Sequence, residues 1–271
     1  MSEQGRTVLQ KLLTSDLGSA IVEDGYDQVG GVVVEAAPAA ALGTPGELLA
    51  AYGFEAGGEY VDVVRFELPP LADLRRPTGD DRPWPTYPSG FLRGDALVPV
   101  WELSRTRYPY GAEYWRIRAD GEQRCLSAYQ GAARGWRGAR GWRPPSAVVG
   151  PRARWRGQEV PVDIVGDGVL LTFPAATAPA DAEEIRPGVW AAAVPLAGCE
   201  LFETVLTATV RGAQVRVLES DGTTAHVLLL SDREEDAARV GATLAEPGVF
   251  EARVPVTDLV DTAGVTHELA S

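Results

Sequence analysis

The sequence predicts an α+β protein: an N-terminal α+β domain with a mostly antiparallel sheet, followed by two tandem small β-rich repeats, each an SH3-like barrel or curled sheet. Three observations carry that reading. First, the stretch 153–265 is written twice. Ala153-Arg154-Trp155-Arg156-Gly157 answers to Ala208-Thr209-Val210-Arg211-Gly212, 55 residues on. Pro187-Gly188-Val189-Trp190 and Val194-Pro195 answer to Pro247-Gly248-Val249-Phe250 and Val254-Pro255, 60 residues on. A short polar insertion therefore separates the two sets of anchors, and 231–240 is its place. Second, short runs rich in Val, Ile, Tyr and Trp alternate with Gly, Pro and Asp turns through much of the chain. Third, helical signals are few and short. The expected units are an N-terminal domain over 1–131, an Arg/Gly/Trp-rich linker over 132–150, and β repeats over 151–206 and 207–271.

Val8, Leu9, Leu12, Leu13 and Leu17 stand at helical spacing and predict a short amphipathic helix over 7–17. Val32-Val33-Val34 after Gly30-Gly31 reads as a buried strand. Thr44-Pro45-Gly46-Glu47 has the cap, the first-turn proline and the third-position glutamate of a helix start, so a helix is expected over 45–52, stopped by Gly53. Tyr60 to Glu67 predicts a strand closed by Pro69-Pro70. Residues 75–95 form a long loop of prolines, glycines and charges. Strands are expected over 97–103, 113–118 and 123–129, the last two joined by a hairpin through Asp120-Gly121. In 132–145, Arg134, Arg137, Arg140 and Arg143 recur every third residue with glycines behind them, which suggests an extended, near-threefold backbone. The first copy is expected to give strands over 153–165, 169–173, 189–194 and 200–207. The second is expected to give strands over 208–219, 225–230, 249–254 and 257–261, with a capped helix over 232–240 ended by Gly241.

The chain has 271 residues, is 45% hydrophobic and 23% charged, and belongs compositionally with ordinary globular proteins. No apolar run reaches the roughly 18–20 residues that span a bilayer, and the N-terminus lacks the apolar core of a signal peptide. A cytoplasmic protein is expected. Cys125 and Cys199 form no CxxC or Cys/His cluster and read as two reduced thiols. The net charge of −13 is unevenly spread. From Arg82 to Arg156, 14 arginines face five carboxylates, a local +9, and the remainder carries −22. A basic waist between acidic ends suits a charged protein partner better than nucleic acid.

The chain lacks a GxSxG elbow, a P-loop, a strand-borne GxGxxG and an HExxH. His226 sits in an apolar strand and His267 in a polar stretch, with no close His/Cys/carboxylate grouping. No catalytic residue, cofactor or metal ligand is assigned. The interaction signal is Arg134, Trp136, Arg137, Arg140, Trp142 and Arg143, where planar guanidinium forks interleave with flat indoles. Asp80, Asp81 and Trp84 of the long loop join them as candidate partner-binding residues. With equal weight, the same arginines pair with the protein's own carboxylates and the tryptophans seal a joint between domains.

A small α+β domain followed by tandem β-rich units marked by Arg156-Gly157, Arg211-Gly212, Pro187-Gly188 and Pro247-Gly248 resembles immunity proteins of actinobacterial polymorphic-toxin systems. The resemblance implies a cytoplasmic protein that binds a toxin domain and blocks its active site, its acidity suiting a basic toxin such as a nuclease. Two alternatives stay open. An NAD-using, ADP-ribosyltransferase-like effector would need an Arg, a Tyr and a Glu in one cleft of the N-terminal half. A nucleic-acid adaptor would use Arg134 to Arg143 against phosphates, but a pI near 4.7 argues against it.

Overall fold

A computed structural model of the chain describes residues 7–40, 47, 59–75, 90–93, 96–99, 101–231, 233–246 and 249–269. Its strands are mostly antiparallel and lie in two large sheets, with a few short helices. The N-terminal sheet is built from β1 (Val8–Leu12), β2 (Gln28–Glu35), β3 (Tyr60–Glu67), β4 (Leu74–Arg75), β7 (Trp101–Arg107), β8 (Glu113–Arg118) and β9 (Gln123–Ala128), in the order β4-β7-β2-β1-β3-β8-β9. Between β4 and β7, β5 (Gly90–Arg93) and β6 (Ala96–Pro99) pair as a separate hairpin. β8 and β9 form the expected hairpin, with Gly121 at φ +86° supplying the left-handed turn position. The short helices are α1 (Ser15–Ser19), which runs into a wide helical turn over Ala20–Asp24, and α2 (Ala36–Ala39).

The helix expected over 7–17 is corrected. Residues 8–12 are a central strand paired to β2 and β3 on its two edges, and helix begins only at Ser15 behind a Thr14 cap. Leu9, Gln10, Lys11, Leu12 and Leu13 are all buried. A strand covered on both faces shows no period of two, and its leucines then satisfy helical spacing without a helix. The helix expected over 45–52 and its Thr44 cap lie outside the described residues, Glu47 apart. Most of the 75–95 loop, including Asp80, Asp81 and Trp84, also lies outside them.

The duplication is visible element by element. The first copy runs β10 (Arg152–Trp155), β11 (Gln158–Val165), β12 (Gly168–Pro174), β13 (Glu183–Arg186), β14 (Val189–Pro195), a 3-10 turn at Leu196–Gly198, and the start of β15 (Glu200–Val210). The second runs from the end of β15 through β16 (Ala213–Ser220), β17 (Thr224–Leu229), α3 (Glu234–Val240), β18 (Thr243–Glu246), β19 (Val249–Pro255), a 3-10 turn at Val256–Asp258, and β20 (Leu259–Glu268). Each copy opens on an Arg-Gly turn with both residues at positive φ: Arg156 +48° and Gly157 +79°, Arg211 +49° and Gly212 +82°. Two successive left-handed residues match the twist of a tight hairpin, which explains the repeated dipeptide. The neighbours are β14-β12-β11-β10-β15 in the first copy and β19-β17-β16-β15-β20 in the second. The polar insertion is α3, ended by Gly241 at φ +78°.

β15 serves both copies, pairing β10 near its start and β16 near its end, so one 11-stranded sheet runs through both. The boundary expected at 206/207 falls inside this strand. Among the described residues no barrel closes. The last strand is Leu259–Glu268 rather than 257–261, because residues 256–258 form the 3-10 turn. Among the described residues three apolar clusters stand out. One lies under the N-terminal sheet (Leu9, Val33, Val64, Phe66, Tyr129, Trp136), one in the first copy (Trp155, Val162, Leu171, Phe173) and one in the second (Val210, Val215, Val227, Val254). Cys125 and Cys199 are free thiols. Among the described residues no helix is long and apolar enough to cross a membrane.

Candidate functional site

The Arg/Gly/Trp stretch is a folded loop wedged between the N-terminal sheet and the first β copy, and the extended backbone expected for it is not formed. Gly135 and Gly138 take φ +68° and +79°, which turn the chain. Gly141 lies so close to the 20–25 turn that a Cβ there would stand 2.5 Å from the Glu23 carbonyl oxygen. The glycines recur because the chain must turn and pass under a neighbour. This folding separates the two residue types. Trp136 is buried, its Nε1 donating to the Tyr26 carbonyl at 2.8 Å, and its ring packs against Tyr108 and Tyr129 at 5.2 and 5.3 Å. Trp142 is half-buried, donates to the Ala132 carbonyl at 2.9 Å and lies under the Arg186 guanidinium at 4.5 Å. Trp136 therefore belongs to the core, and no partner of the folded chain can reach it as a contact residue.

Arg134, Arg137, Arg140 and Arg143 are all exposed. Two of them are engaged within the chain: Arg134 with Glu183 at 3.2 Å, and Arg140 with both oxygens of Glu23 at 2.6 and 2.9 Å. Arg143 stands 5.3 Å from the Tyr26 ring centre. Exposed pairs like these hold weakly and can exchange for an outside carboxylate.

Glu23, the partner of Arg140, lines an open cleft of about 560 Å³. The cleft is walled by the α1 turn and by the outer ends of β3 and β8. It brings together Arg116, Tyr114 and Tyr60 with Glu59 and Asp62. Arg116 grips Asp62 with two nitrogens, each at 2.8 Å, and its plane covers Tyr60 at 3.7 Å. Tyr114 donates to the same carboxylate at 2.7 Å. The Asp62 bonds hold the Arg116 guanidinium above its ordinary value, and burial pushes the Tyr114 phenol up. An Arg, a Tyr and a Glu do meet in one N-terminal cleft, but its arginine and tyrosine are locked onto one aspartate. A phosphate would meet a cation that is already neutralised.

Sequence reasoning missed the seam between the halves, which is ionic and buried. Lys11, Arg105 and Arg107 come from the N-terminal sheet; Asp163, Glu203, Glu246 and Glu251 come from the β copies. Lys11 pairs with Glu246, and both side chains are at most 5% exposed. Arg105 pairs with Glu251 and donates to the Tyr26 hydroxyl at 2.9 Å. Glu251 also meets His226 Nε2 at 2.9 Å, so this histidine is hydrogen-bonded within the fold. Arg107 donates to the Val162 carbonyl at 2.6 Å and stands 3.6 Å from Asp163. Burial pushes Tyr26 up to about 12 and Asp27 up to about 6, the latter against the opposing pull of Arg107. The available signal was a lone lysine amid buried leucines and an Arg-Thr-Arg triplet in a β-rich run. Among the described residues no group of three His, Cys, Asp or Glu could hold a metal ion.

No protein-family model, curated protein or solved structure matches the chain.

Proposed function

We propose that this chain is a non-enzymatic protein-binding protein of the immunity type, one that neutralises a bacterial toxin domain in the cytoplasm by direct contact. In this reading the two β copies are SH3-like units serving as scaffold. The shared strand order, with a 3-10 turn before each last strand, supports that assignment. One observation carries the functional reading. One cleft of the N-terminal half has its arginine and tyrosine bound to one aspartate, while the loop pinned by Trp136 and Trp142 carries exposed arginines, one of which, Arg140, pairs with Glu23 of the cleft wall. Groups arranged this way present a shaped, rigid, charged surface and leave no unengaged nucleophile–base pair. The acidic balance of the whole chain draws a basic partner in, and the arginines give the docked contact its own polarity.

The test is co-expression with the polypeptides encoded beside this chain. A neutraliser relieves the growth arrest caused by one of them and co-purifies with it. The double change Arg137→Glu and Arg140→Glu removes both effects while the thermal melt is kept. Unrelieved toxicity with every neighbouring product sinks the proposal. The enzyme reading rests on the same cleft and predicts NAD turnover, which Glu59→Gln would abolish. The nucleic-acid reading predicts binding that weakens steeply with salt.

A further inference from the structure

A second concavity, of about 310 Å³, lies between β7 of the N-terminal sheet and the β15–β17 face of the second copy. Its walls are mixed, with an aliphatic part that includes Leu103, Val205, Leu228 and Val249 and a polar part that includes Glu102, Ser104, Arg105, Glu203 and Thr207. At the edge of the aliphatic part stands Arg216, whose side chain is 3% exposed. A guanidinium carries five N–H donors. Among the described residues that of Arg216 makes one bond, from Nη2 to Glu203 Oε1 at 3.3 Å, and its Nε is buried without an acceptor. Glu203 cannot do more for it. Its oxygens already receive the Thr106 hydroxyl at 2.8 Å and the Gly150 amide at 3.0 Å.

The contrast with Arg105, which lines the same cavity, is instructive. Arg105 also keeps a buried Nε without an acceptor, but its other nitrogens reach Tyr26, Glu251 and Glu246, whereas among the described residues Arg216 reaches only Glu203. Burial accordingly pushes Arg216 below its ordinary value, against the pull of Glu203. Other ionisable groups on the lining are the Asp73–Arg75 pair, Glu102 and His267. A buried guanidinium with spare donors beside aliphatic walls is the arrangement that recognises an acceptor on an apolar body.

We propose that this cavity is a binding site for a small organic carboxylate with a compact apolar body, with Arg216 as the anchor of the carboxylate and the Leu103/Val205/Leu228/Val249 wall as the seat of the body. The site goes beyond the protein-binding reading and does not depend on it. Because its walls come from both halves of the chain, occupancy clamps the seam and stabilises the folded state by mass action.

The test uses the full chain with 3-phenylpropionate, 4-methylvalerate and, as the uncharged counterpart, 3-phenylpropionamide. Binding is read by saturation-transfer NMR and by thermal melting. At least one carboxylate is expected to bind saturably and raise the Tm by about 2–4 °C at concentrations well above its Kd, with the amide giving no shift. Arg216→Gln is expected to abolish the response. Leu228→Phe keeps every charge and narrows the cavity, and it too is expected to abolish it, so the test stands even if Arg216→Gln fails to fold. Absence of a saturable response to both carboxylates overturns the proposal, as does an equal response to the amide. A response undiminished in Leu228→Phe also overturns it. None of these results bears on toxin neutralisation, which is read by growth rescue.

Discussion

Replacing Glu246 by Gln leaves Lys11 in the dry seam with no anion in contact. Both side chains are at most 5% exposed, and the lysine's one other bond is to the Val32 carbonyl at 3.2 Å. Breaking a buried pair by removing one partner costs about 3–5 kcal/mol. The structure supplies a ceiling of its own. Lys11 can shed its proton instead of being buried charged, and at pH 7 that costs about 1.4 kcal/mol for each of roughly 3.5 units, or about 5 kcal/mol. The predicted loss for Glu246→Gln is therefore about 3–5 kcal/mol at pH 7. It should shrink by up to about 1.4 kcal/mol per pH unit above 7, because the neutral lysine becomes steadily cheaper to bury. Burial already holds Lys11 below its ordinary value in the native protein. Without Glu246 the folded variant binds fewer protons than its unfolded chain over that window, and its stability rises with pH toward the ordinary lysine value. Urea unfolding of both proteins from pH 7 to 9.5 reads these quantities, and the double variant Lys11→Met with Glu246→Gln should recover part of the loss. A loss under 1 kcal/mol, or one that does not change with pH, would mean that water reaches the pair and that the seam is not the dry ionic joint described above.

Three further outcomes follow from the same geometry. Asp27 is buried with its carboxyl near 6 against an ordinary 3.8, so its contribution to stability is full below about pH 4 and is lost as pH rises through 6, a fall of about 3 kcal/mol. Asp27→Asn should lack that fall, so a stability difference between variant and parent that stays constant from pH 4 to 7 would reject a buried, raised carboxyl. Trp136→Ala should cost about 3–5 kcal/mol by emptying the space between Tyr108 and Tyr129, whereas Arg137→Ala, at an exposed side chain, should stay within about 0.5 kcal/mol; paired chemical denaturation of the two compares them directly. Arg156→Gly removes a side chain from a φ of +48° and should leave stability equal or raise it by up to about 1 kcal/mol, less whatever the contact with the Trp155 ring at 4.3 Å contributes. A drop of more than 1 kcal/mol in its thermal unfolding would show that the ring contact outweighs the backbone strain.

What could be read from the residues depended on whether the signal was local. The Asp-Gly turn is local: its φ requirement is written at the dipeptide, and the hairpin at 120–121 follows from it, whereas the Arg-Gly pairs marked the repeat while the strands expected over 153–165 and 208–219 ran through the turns that the chain makes at 156–157 and 211–212. The α3 insertion was legible for the same reason, as an interruption between two matched anchor sets. β1 was not, because its leucines are buried from both sides and their spacing carries no information about period. The shared strand β15 was also hidden. A duplication in sequence gives two equivalent units, but only register shows that one strand ends the first and begins the second.

The charge pattern was legible as a number, but how it divides between interior and surface was not. The basic excess between 82 and 156 looks like a surface for a partner, yet the interior draws on it first. Arg105 and Arg107 are spent on Glu251, Glu246 and Asp163, while Arg134, Arg140 and Arg154 engage Glu183, Glu23 and Glu159 at the surface. The cations of the N-terminal sheet and the carboxylates of the β copies that face them thus act largely as the instruction that joins the two halves. A buried ionic joint is poor in net energy but exacting in geometry, since a misaligned half would bury unpaired charge at several kcal/mol for each group. Specificity of assembly, rather than raw stability, is therefore what the alternation of basic and acidic segments contributes here. It also accounts for the place of the Arg/Gly/Trp loop: the wedge at 132–143 lies between surfaces already aligned by the seam beneath it.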